Sequence, residues 1–490
     1  MNPVSKNEFA NNSIWKFMEL FSKKIIALIL STILARLLNP DAYGVVALTT
    51  VFITFSDIFI TNGFNIALIR KNSVNAVDYS TVMVMSLLFS AVLYTIFFLA
   101  APFLANFYET PEFCPVLRVL TLLIFLKSIS SVIRAKMTRE LMFKKMSLVS
   151  VVTSTLASLF GIAFAYNGFG VWALVLQQIL ANLFDVIALT IVFKWKYSLK
   201  VSINAVKEML TFTIGVIGTS FLDFLGNNIN SIVIGKAYRT TDLGYYNRGF
   251  IYPETISLNT YNAITSVLLP TLASRQGNPE SMKRVVRKVL SVTTYIIFPM
   301  MFGLMAISDK FVEVVLTNKW MLCVPVLVCG CLYYAINPIR AIGYNVFYAK
   351  GESKKCMHIE IMRSIMMILN LLITIIMLKK SIYVLTAVNV VVAFLVAFVT
   401  QILVRKSIRY MAKEFISDIS PAFIMSCIVV IVVRLITLLP IKAVWILIIQ
   451  IVAGIVVYLI CSICTRNQSF MFLWGYISKI LKKGNSKEND

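Results

Sequence analysis

Long apolar stretches separated by short polar breaks run along most of the sequence. A helix needs about 20 mostly apolar residues to cross the hydrocarbon core of a bilayer, and 14 stretches of this kind occur. Some breaks, such as Tyr166-Asn167-Gly168, have only a few residues, which is typical of tight connections between antiparallel helices. The sequence therefore predicts an all-α integral membrane protein with about 14 transmembrane helices. The predicted spans cover residues 14–38, 43–67, 80–105, 114–134, 147–166, 170–193, 207–235, 243–270, 285–307, 321–348, 357–378, 382–404, 419–439 and 442–464.

Charge adds an orientation to this pattern. The chain of 490 residues is 59% hydrophobic, and its 46 Lys and Arg against 22 Asp and Glu give a net charge of +24. Cytoplasmic loops of membrane proteins carry the basic excess. With the N-terminus in the cytoplasm, 29 bases fall on the cytoplasmic side, 8 on the opposite side and 9 inside helices. This split predicts that both termini are cytoplasmic. Basic loops that contact anionic lipids also explain the net charge without a nucleic-acid partner.

The two ends of the chain contain further signals. The first apolar stretch is interrupted by Lys16, Glu19, Lys23 and Lys24, and no small-residue cleavage site follows, so a removable signal peptide is not expected. After the last span, apolar residues recur at helical spacing and lysines cluster at their end, which predicts a helix lying in the cytoplasmic interface within residues 466–490. Its apolar positions are Phe470, Leu473, Trp474, Ile477, Ile480 and Leu481.

Weak echoes about 200 residues apart indicate an internal repeat. Asp41-Ala42-Tyr43-Gly44 is echoed by Asp242-Leu243-Gly244-Tyr245, and Ile133-Arg134-Ala135 by Ile339-Arg340-Ala341. A shift of six helices preserves orientation in the membrane, as in transporters built from parallel repeats. We therefore predict a six-helix bundle in residues 1–200, a second in 201–410, two added helices in 411–465, and the interfacial helix and tail in 466–490.

Several kinds of catalytic chemistry have no basis in this sequence. His358 is the single histidine, so a zinc site of the HExxH kind or a Ser-His-Asp triad has little to build on. There is no GxxxxGK[ST] phosphate-binding loop. Cys461 and Cys464 have CxxC spacing but end an apolar span, where cysteine usually acts as a small hydrophobic residue. We expect neither an enzyme nor a metal or cofactor.

Ionisable residues inside the predicted spans are the main candidates for function. Such a residue costs about 2.5–3.5 kcal/mol at the centre of a spanning helix, so it should face a cavity or a partner. The polar residues gather on helices 1 and 2 and on helices 7 and 8, which correspond under the repeat, so a central cavity is expected there. The candidates are Lys23, Lys24, Asp57, Asp223, Asn227, Asn228, Arg248 and Glu254, with Lys127 on helix 4.

A structural role is an open alternative for these charges. Asp57 could form an ion pair with Lys23 or Lys24, and Glu360 with Arg363 at i,i+3 on one helix. Arg340 and Asp185 lie near predicted helix ends, where long side chains reach water and short ones reach polar groups.

Two stretches resemble bacterial polysaccharide flippases of the Wzx type, within the superfamily that includes multidrug extruders and lipid II flippases. One runs from Ile33 to Gly44, with Ala35-Arg36-Leu37-Leu38-Asn39-Pro40-Asp41-Ala42-Tyr43-Gly44. The second includes Asn228-Ile229-Asn230-Ser231, Leu243-Gly244-Tyr245-Tyr246-Asn247-Arg248 and Tyr252-Pro253. The resemblance implies two six-helix bundles in a V shape. It also implies movement of an undecaprenyl-pyrophosphate-linked oligosaccharide to the outer leaflet of the bacterial inner membrane, for O-antigen, lipopolysaccharide or exopolysaccharide biosynthesis.

The resemblance further implies a cationic cavity that receives the anionic head group by alternating access. Lys23, Lys24 and Arg248 are the matching bases, with Asn227 and Asn228 suited to sugar hydroxyls, whereas Asp57 departs from the pattern by placing an acid on helix 2. That acid either neutralises a lysine or, like Asp223 and Glu254, carries a coupling ion. Expected partners are the lipid-linked glycan, anionic lipids, and the glycosyltransferases and polymerase of the same pathway.

Three alternatives stay open at this point. A cation-coupled multidrug extruder would favour acidic residues in its cavity, and a lipid II flippase would share the superfamily fold. A membrane glycan polymerase or ligase would need a catalytic group on a sizeable outer loop, and the predicted outer loops are all short.

Overall fold

The computed structural model describes residues 28–71, 74–194, 200–376 and 381–475. The described residues form helices joined by short connections, and none of them is in a β-strand. The chain separates into two compact units, Met1–Tyr245 and Tyr246–Asp490. The predicted borders at residues 200, 410 and 465 stay predictions.

Within the described residues, the first unit contains nine α-helices and the start of a tenth. They are α1 Leu28–Leu37, α2 Pro40–Asp57, α3 Phe64–Arg70, α4 Ala76–Phe107, α5 Phe113–Leu120, α6 Leu123–Arg139, α7 Phe143–Tyr166, α8 Val171–Phe193, α9 Ile203–Ala237 and the start of α10 Thr240–Ala273. The second unit continues with α11 Pro279–Phe311, α12 Val324–Ala349, α13 Ser353–Ile376, α14 Ile382–Ile408, α15 Ala412–Ile436 and α16 Ala443–Cys464.

Among the described residues, 11 helical stretches are long and apolar enough to cross a membrane. They coincide with predicted spans 2–6 and 9–14. The first predicted span is described only from residue 28, as α1, while spans 7 and 8 correspond to the long helices α9 and α10. An all-helical membrane protein is therefore confirmed, and the total of 14 and the cytoplasmic position of both termini stay predictions.

Local sequence explains where several helices begin and end. Pro40 opens α2 with Asp41 in its first turn, which suits the unpaired N–H groups and the positive end of the helix dipole. Asn278 caps α11, because its side-chain oxygen accepts a 3.0 Å hydrogen bond from the Ser281 N–H. Gly351 follows α12 with φ of +72°, the left-handed conformation that glycine adopts without strain.

Two predicted spans are interrupted rather than continuous. A π-helical segment, Ile58–Gly63, joins α2 to α3, and Thr121 with Leu122 separates α5 from α6. The buried Thr121 hydroxyl donates to the Leu117 carbonyl at 2.8 Å, so the break keeps its polar groups satisfied. The hydrophobic pattern predicts each of these spans as one continuous helix, so it does not predict the breaks.

The first unit packs around α2, α5, α6 and α8, with Leu34, Val116, Leu120 and Val175 fully buried in its core. Helix α9 also belongs to this unit and packs against α2, α3 and the π-helical segment. Ser90 and Ser128 form a buried 2.6 Å hydrogen bond between α4 and α6.

The second unit packs α11 against α12 and α15, and α12 against α14. The two added helices of the sequence prediction, α15 and α16, are fixed to α11 by polar contacts. Arg287 donates from Nε and Nη2 to the two oxygens of Asp418, each at 2.8 Å. The Tyr295 hydroxyl contacts Ser462 at 2.8 Å, so α11 is bonded to α16 as well.

The two echoed Asp-containing segments come together in the first unit. A Cβ on Gly44 of α2 would lie 1.9 Å from the Thr240 carbonyl oxygen, and a Cβ on Gly244 of α10 would lie 2.1 Å from that of Pro40. Each glycine therefore allows the start of one helix to approach the backbone of the other. The repeat signal in the sequence thus marks a packing contact.

After α16, residues 468–475 are helical. The rings of Phe470 and Trp474 stack with centroids 6.1 Å apart, and Lys288 Nζ lies 3.7 Å from the centroid of Phe472. The position of this helix in the interface stays a prediction, and residues 476–490 lie outside the described part of the chain.

Candidate functional site

The predicted site residues are described to different extents. Lys23 and Lys24 lie outside the described residues, and the side chains of Asp223 and Asn227 on α9 are likewise not described. Asn228, on the same helix, donates from Nδ2 to the Phe224 carbonyl at 3.0 Å. The cavity-lining role predicted for these five residues stays a prediction.

Arg248 lies on α10 in the second unit and is 3% exposed. Its guanidinium carbon lies 5.3 Å from the ring centroid of Tyr252 and 6.0 Å from that of the fully buried Trp320. Cation–π attraction of this kind strengthens when the cation is removed from water. The prediction of a buried arginine on this helix is correct, and the aromatic rings around it are a feature that the sequence analysis missed.

Glycines beside Arg248 bring α10 close to α12. A Cβ on Gly249 would lie 2.8 Å from Val326 Cγ1, and a Cβ on Gly330 would lie 3.2 Å from Pro253 Cγ. Each helix therefore has a glycine where the other approaches.

Aromatic side chains form a continuous face along α10 and α12. Phe250 contacts Tyr246 with ring centroids 4.8 Å apart, and it contacts both Tyr333 and Tyr334 at 6.2 Å. Glu254 is half-buried and lies within electrostatic range of Tyr334. We call these residues, with Arg248, the α10/α12 face. The sequence signal that could have indicated this face is the adjacent pair Tyr333-Tyr334 within an apolar span.

Asp57 is paired within the first unit. Lys127 Nζ donates a 2.7 Å hydrogen bond to Asp57 Oδ2, and each side chain is about one quarter exposed. Oδ1 of Asp57 is buried and has no hydrogen-bond partner in the described part of the chain. The sequence analysis identified both charges but proposed Lys23 or Lys24 as the partner, and the described contact is to Lys127.

Two further charge clusters involve the arginines that are equivalent under the repeat. Arg134 on α6 donates to both oxygens of Asp185 on α8 and to Ser150 on α7. Arg340 on α12 donates to Glu360 on α13, which also accepts from Arg363 at 2.6 Å. The local Glu360–Arg363 pair is confirmed. Arg340 and Asp185, which lie near predicted helix ends, are each in an ion pair within their own unit.

Metal and redox chemistry have little support among the described residues. They contain no cluster of three or more His, Cys, Asp or Glu that could hold a metal ion. His358 is exposed on α13, and Cys461 and Cys464 are free thiols.

Comparison with known proteins decides the family. The sequence profile of the family described as "Polysaccharide biosynthesis protein" matches residues 33–325, which is more than half of the chain and includes Arg248. The chain belongs to this family. The resemblance to Wzx-type proteins is thereby confirmed at the level of the family.

Named relatives in this family come from several bacteria. The succinoglycan biosynthesis transport protein ExoT of Rhizobium meliloti is 25% identical over 65% of this chain and 64% of its own length. The lipopolysaccharide biosynthesis protein WzxC of Escherichia coli is 25% identical over 65% of this chain and 66% of its own. The teichuronic acid biosynthesis protein TuaB of Bacillus subtilis is 23% identical over 61% of this chain and 62% of its own length. The match thus spans slightly less than two thirds of each relative.

Solved structures show the fold. The lipid II flippase MurJ, in an inward closed conformation, superposes with a TM-score of 0.72 over 92% of this chain and 99% of its own, at 16% identity. An inward-facing multidrug resistance MATE transporter superposes with a TM-score of 0.60 over 80% of this chain and 94% of its own, at 15% identity. This family member therefore has the MurJ/MATE fold and is a multi-pass protein of the bacterial inner membrane.

Proposed function

We propose that the chain is a flippase that moves an undecaprenyl-pyrophosphate-linked oligosaccharide repeat unit from the cytoplasmic to the periplasmic leaflet. Membership in the polysaccharide biosynthesis family carries this proposal. Support comes from relatives whose names specify polysaccharide transport or biosynthesis and from a fold that includes a lipid flippase. The protein acts by alternating access, with both termini cytoplasmic, and it is a transporter rather than an enzyme.

The head group of such a substrate combines a pyrophosphate with sugars. A pyrophosphate brings about two negative charges, and arginine and lysine bind phosphates through charge-assisted hydrogen bonds. Arg248 is a buried cation on the α10/α12 face, and we assign it to the pyrophosphate, with Lys23 and Lys24 as further bases. Tyr333 and Tyr334 offer ring faces and hydroxyl groups that suit sugar rings, and Asn227 and Asn228 have the same chemistry.

The acidic residues have a different role in this proposal. Asp57 balances the charge of Lys127, since the two side chains are 2.7 Å apart. Asp223 and Glu254 are then the acids assigned to a coupling cation. A multidrug extruder would use acids to attract cationic drugs, whereas the buried base at Arg248 favours an anionic substrate.

The proposal is tested in the native host with the chromosomal gene deleted and the protein supplied from a plasmid. Arg248→Ala, and Lys23→Ala with Lys24→Ala, are expected to abolish surface polysaccharide and to accumulate lipid-linked repeat units inside the cell. Arg434→Ala is the matched control, because Arg434 is also a helix arginine but is paired with Asp309 and 43% exposed. Its polysaccharide should stay at the wild-type level.

Four measurements make the result decisive. Immunoblots of membrane fractions show whether each variant is present at the wild-type level. Normal polysaccharide display in a fully expressed Arg248→Ala strain would refute the role of Arg248. Loss of drug resistance with intact polysaccharide in the deletion strain would favour a multidrug extruder, and lysis for lack of peptidoglycan would favour a lipid II flippase.

A further inference from the structure

A small recess of about 20 Å³, with room for one small ion or water molecule, lies inside the second unit, between α12, α13 and α14. The residues that line it lie about one helical turn apart on each of these three helices. Its polar lining consists of Tyr333, Asn337, Arg340, Arg363 and Asn389. Arg248 does not line it, so the recess is not the pyrophosphate site proposed above, although Tyr333 belongs both to the recess and to the α10/α12 face.

The charges beside this recess do not balance. Arg340 and Arg363 contribute two positive charges, and Glu360 is the one carboxylate bonded to either of them within the described ranges. The Glu360 oxygens accept from both guanidinium groups and, at 2.9 Å, from the Tyr344 hydroxyl. The cluster of Arg340, Glu360 and Arg363 therefore has a net charge of +1.

The guanidinium of Arg363 has few hydrogen-bond acceptors among the described residues. Its Nε donates to Glu360 at 2.6 Å, while Nη1 has only the Met367 sulfur, at 3.4 Å. A thioether is a weak acceptor, and Nη2 has no hydrogen-bond partner elsewhere in the described chain. Arg363 lines the recess, and neither of its N–H₂ groups is hydrogen-bonded to a carboxylate of the described residues.

Asn389 adds a third donor, and its orientation is fixed by neighbouring hydrogen bonds. Asn370 Nδ2 donates to the Leu385 carbonyl and, at 2.9 Å, to Asn389 Oδ1. Because the oxygen of Asn389 is used as an acceptor, its Nδ2 group is the part left to line the recess. The residue is 3% exposed, so this donor is held in place by its surroundings.

Burial makes the unbalanced charge costly. Arg363 is the eleventh residue of α13, about 15 Å along the helix from its start at 1.5 Å per residue. Its side chain is 16% exposed and that of Arg340 is 21% exposed. A cation at this depth is stabilised only when it faces a counter-ion or water-filled space. A bound anion would neutralise the cluster and satisfy its unused donors.

We infer that this recess is a binding site for one small anion, held by the Nη groups of Arg363, by Arg340 and by Asn389 Nδ2. The ligand is a single negatively charged group of the size of chloride or a phosphate oxygen edge. It is supplied either by a free inorganic anion or by the phosphate of an anionic lipid. This inference does not depend on the proposed transport substrate.

The test is binding of radiolabelled chloride and, separately, radiolabelled inorganic phosphate to the full-length protein in nanodiscs of a zwitterionic lipid. Wild-type protein is expected to show saturable binding of one anion per chain. Arg363→Gln makes the cluster neutral and should weaken binding at least tenfold, and Glu360→Gln raises the net charge to +2 and should strengthen it about tenfold. Arg363→Lys keeps the charge and should restore part of the binding.

Matched controls and a lipid arm distinguish the outcomes. Arg434→Gln removes an arginine that is paired one-to-one with Asp309, so its anion binding should equal that of the wild type. If neither free anion binds, thermal melting is compared in nanodiscs with and without phosphatidylglycerol. Stabilisation by this lipid that is absent in Arg363→Gln assigns the site to a lipid phosphate. The inference is overturned if no probe binds, or if binding is unchanged in both Arg363→Gln and Glu360→Gln.

Discussion

Lys127 Nζ lies 2.7 Å from Asp57 Oδ2, and this ion pair joins the end of α2 to α6. Asp57 is the last residue before the π-helical segment Ile58–Gly63. The ion pair therefore fixes the helix at the point where its regular hydrogen bonding changes. Neither charge is compensated by another described residue, so each depends on the other.

Removing one partner of this pair is expected to destabilise the protein. Asp57→Asn leaves Lys127 without its counter-ion, and for a pair about three quarters buried the cost lies between the exposed and fully buried limits, about 1–3 kcal/mol. Thermal melting of the purified protein measures this loss of stability. The double variant Asp57→Asn with Lys127→Met should recover part of the loss, because the buried charge is gone. Equal melting of Asp57→Asn and wild type would contradict the prediction.

The ion pair of Arg134 with Asp185 requires the shape of arginine as well as its charge. Arg134 reaches both carboxylate oxygens and the Ser150 hydroxyl at 2.9 Å, which one ammonium group cannot do in the same geometry. Arg134→Lys should therefore lower stability by about 1–2 kcal/mol, as measured by thermal melting. The matched control is Arg118→Lys, because the Arg118 Nε donates to a single carbonyl, that of Phe98, at 3.3 Å. A larger loss in the control would argue against this reading of Arg134.

Hydrophobic pattern predicted the helices well because membrane spans need a fixed length of apolar sequence. The predicted spans from 80–105 onward match α4 to α8 and α11 to α16 to within a few residues at most of their ends. Pattern could not predict the break at Thr121 or the π-helical segment after Asp57. Both occur inside stretches that are, on average, apolar enough to be predicted as single spans.

Charge partners were less predictable than charged positions. The sequence identified Asp57, Lys127, Arg248, Arg340 and Glu360 as charges within or at the ends of spans. Which of them meet depends on helix rotation and packing, and sequence separation says nothing about that when 70 residues separate Asp57 from Lys127. Gly44 and Gly244 belong to the two echoed segments, but that their helices are in direct contact was not predicted from the echo.

Stability at acidic pH should depend on Glu352, which lies in the connection between α12 and α13. Its carboxylate accepts from Lys355 at 2.8 Å and from Ser407 at 2.7 Å. Burial alone would raise its pKa, but these hydrogen bonds and the charges of Lys350 and Lys355 outweigh burial and hold the pKa below the ordinary value of 4.5. Because the folded-state pKa is the lower one, Glu352 stabilises the protein above pH 4.5, and this contribution is lost as the pH falls through the folded-state pKa.

Thermal melting between pH 3 and pH 7 in about half-unit steps checks this dependence. Glu352→Gln should melt below wild type at pH 7, and the difference should shrink as the pH falls below 4.5. Glu280→Gln is a suitable control, since Glu280 is 65% exposed and its ion pair with Lys283 is 3.6 Å long. A difference between Glu352→Gln and wild type that stays constant over the whole range would contradict the assignment.

The crossing of α2 and α10 should tolerate no side chain at its two glycines. Gly44→Ala would place a methyl group 1.9 Å from the Thr240 carbonyl oxygen, and Gly244→Ala would place one 2.1 Å from that of Pro40. Both obstacles are backbone atoms, so relief requires the helices to separate, at a cost of about 1–3 kcal/mol or more. The nearby Thr110–Thr240 hydrogen bond of 3.1 Å would be stretched as well.

Gly303→Ala is the control for these two variants. Nothing lies within 4 Å of the Cβ position of Gly303 and alanine favours helix, so the stability of this variant should equal or exceed that of wild type. Thermal melting and the amount of protein in the membrane measure both effects, and a Gly44→Ala protein as stable as Gly303→Ala would show that the helices do not depend on this close approach.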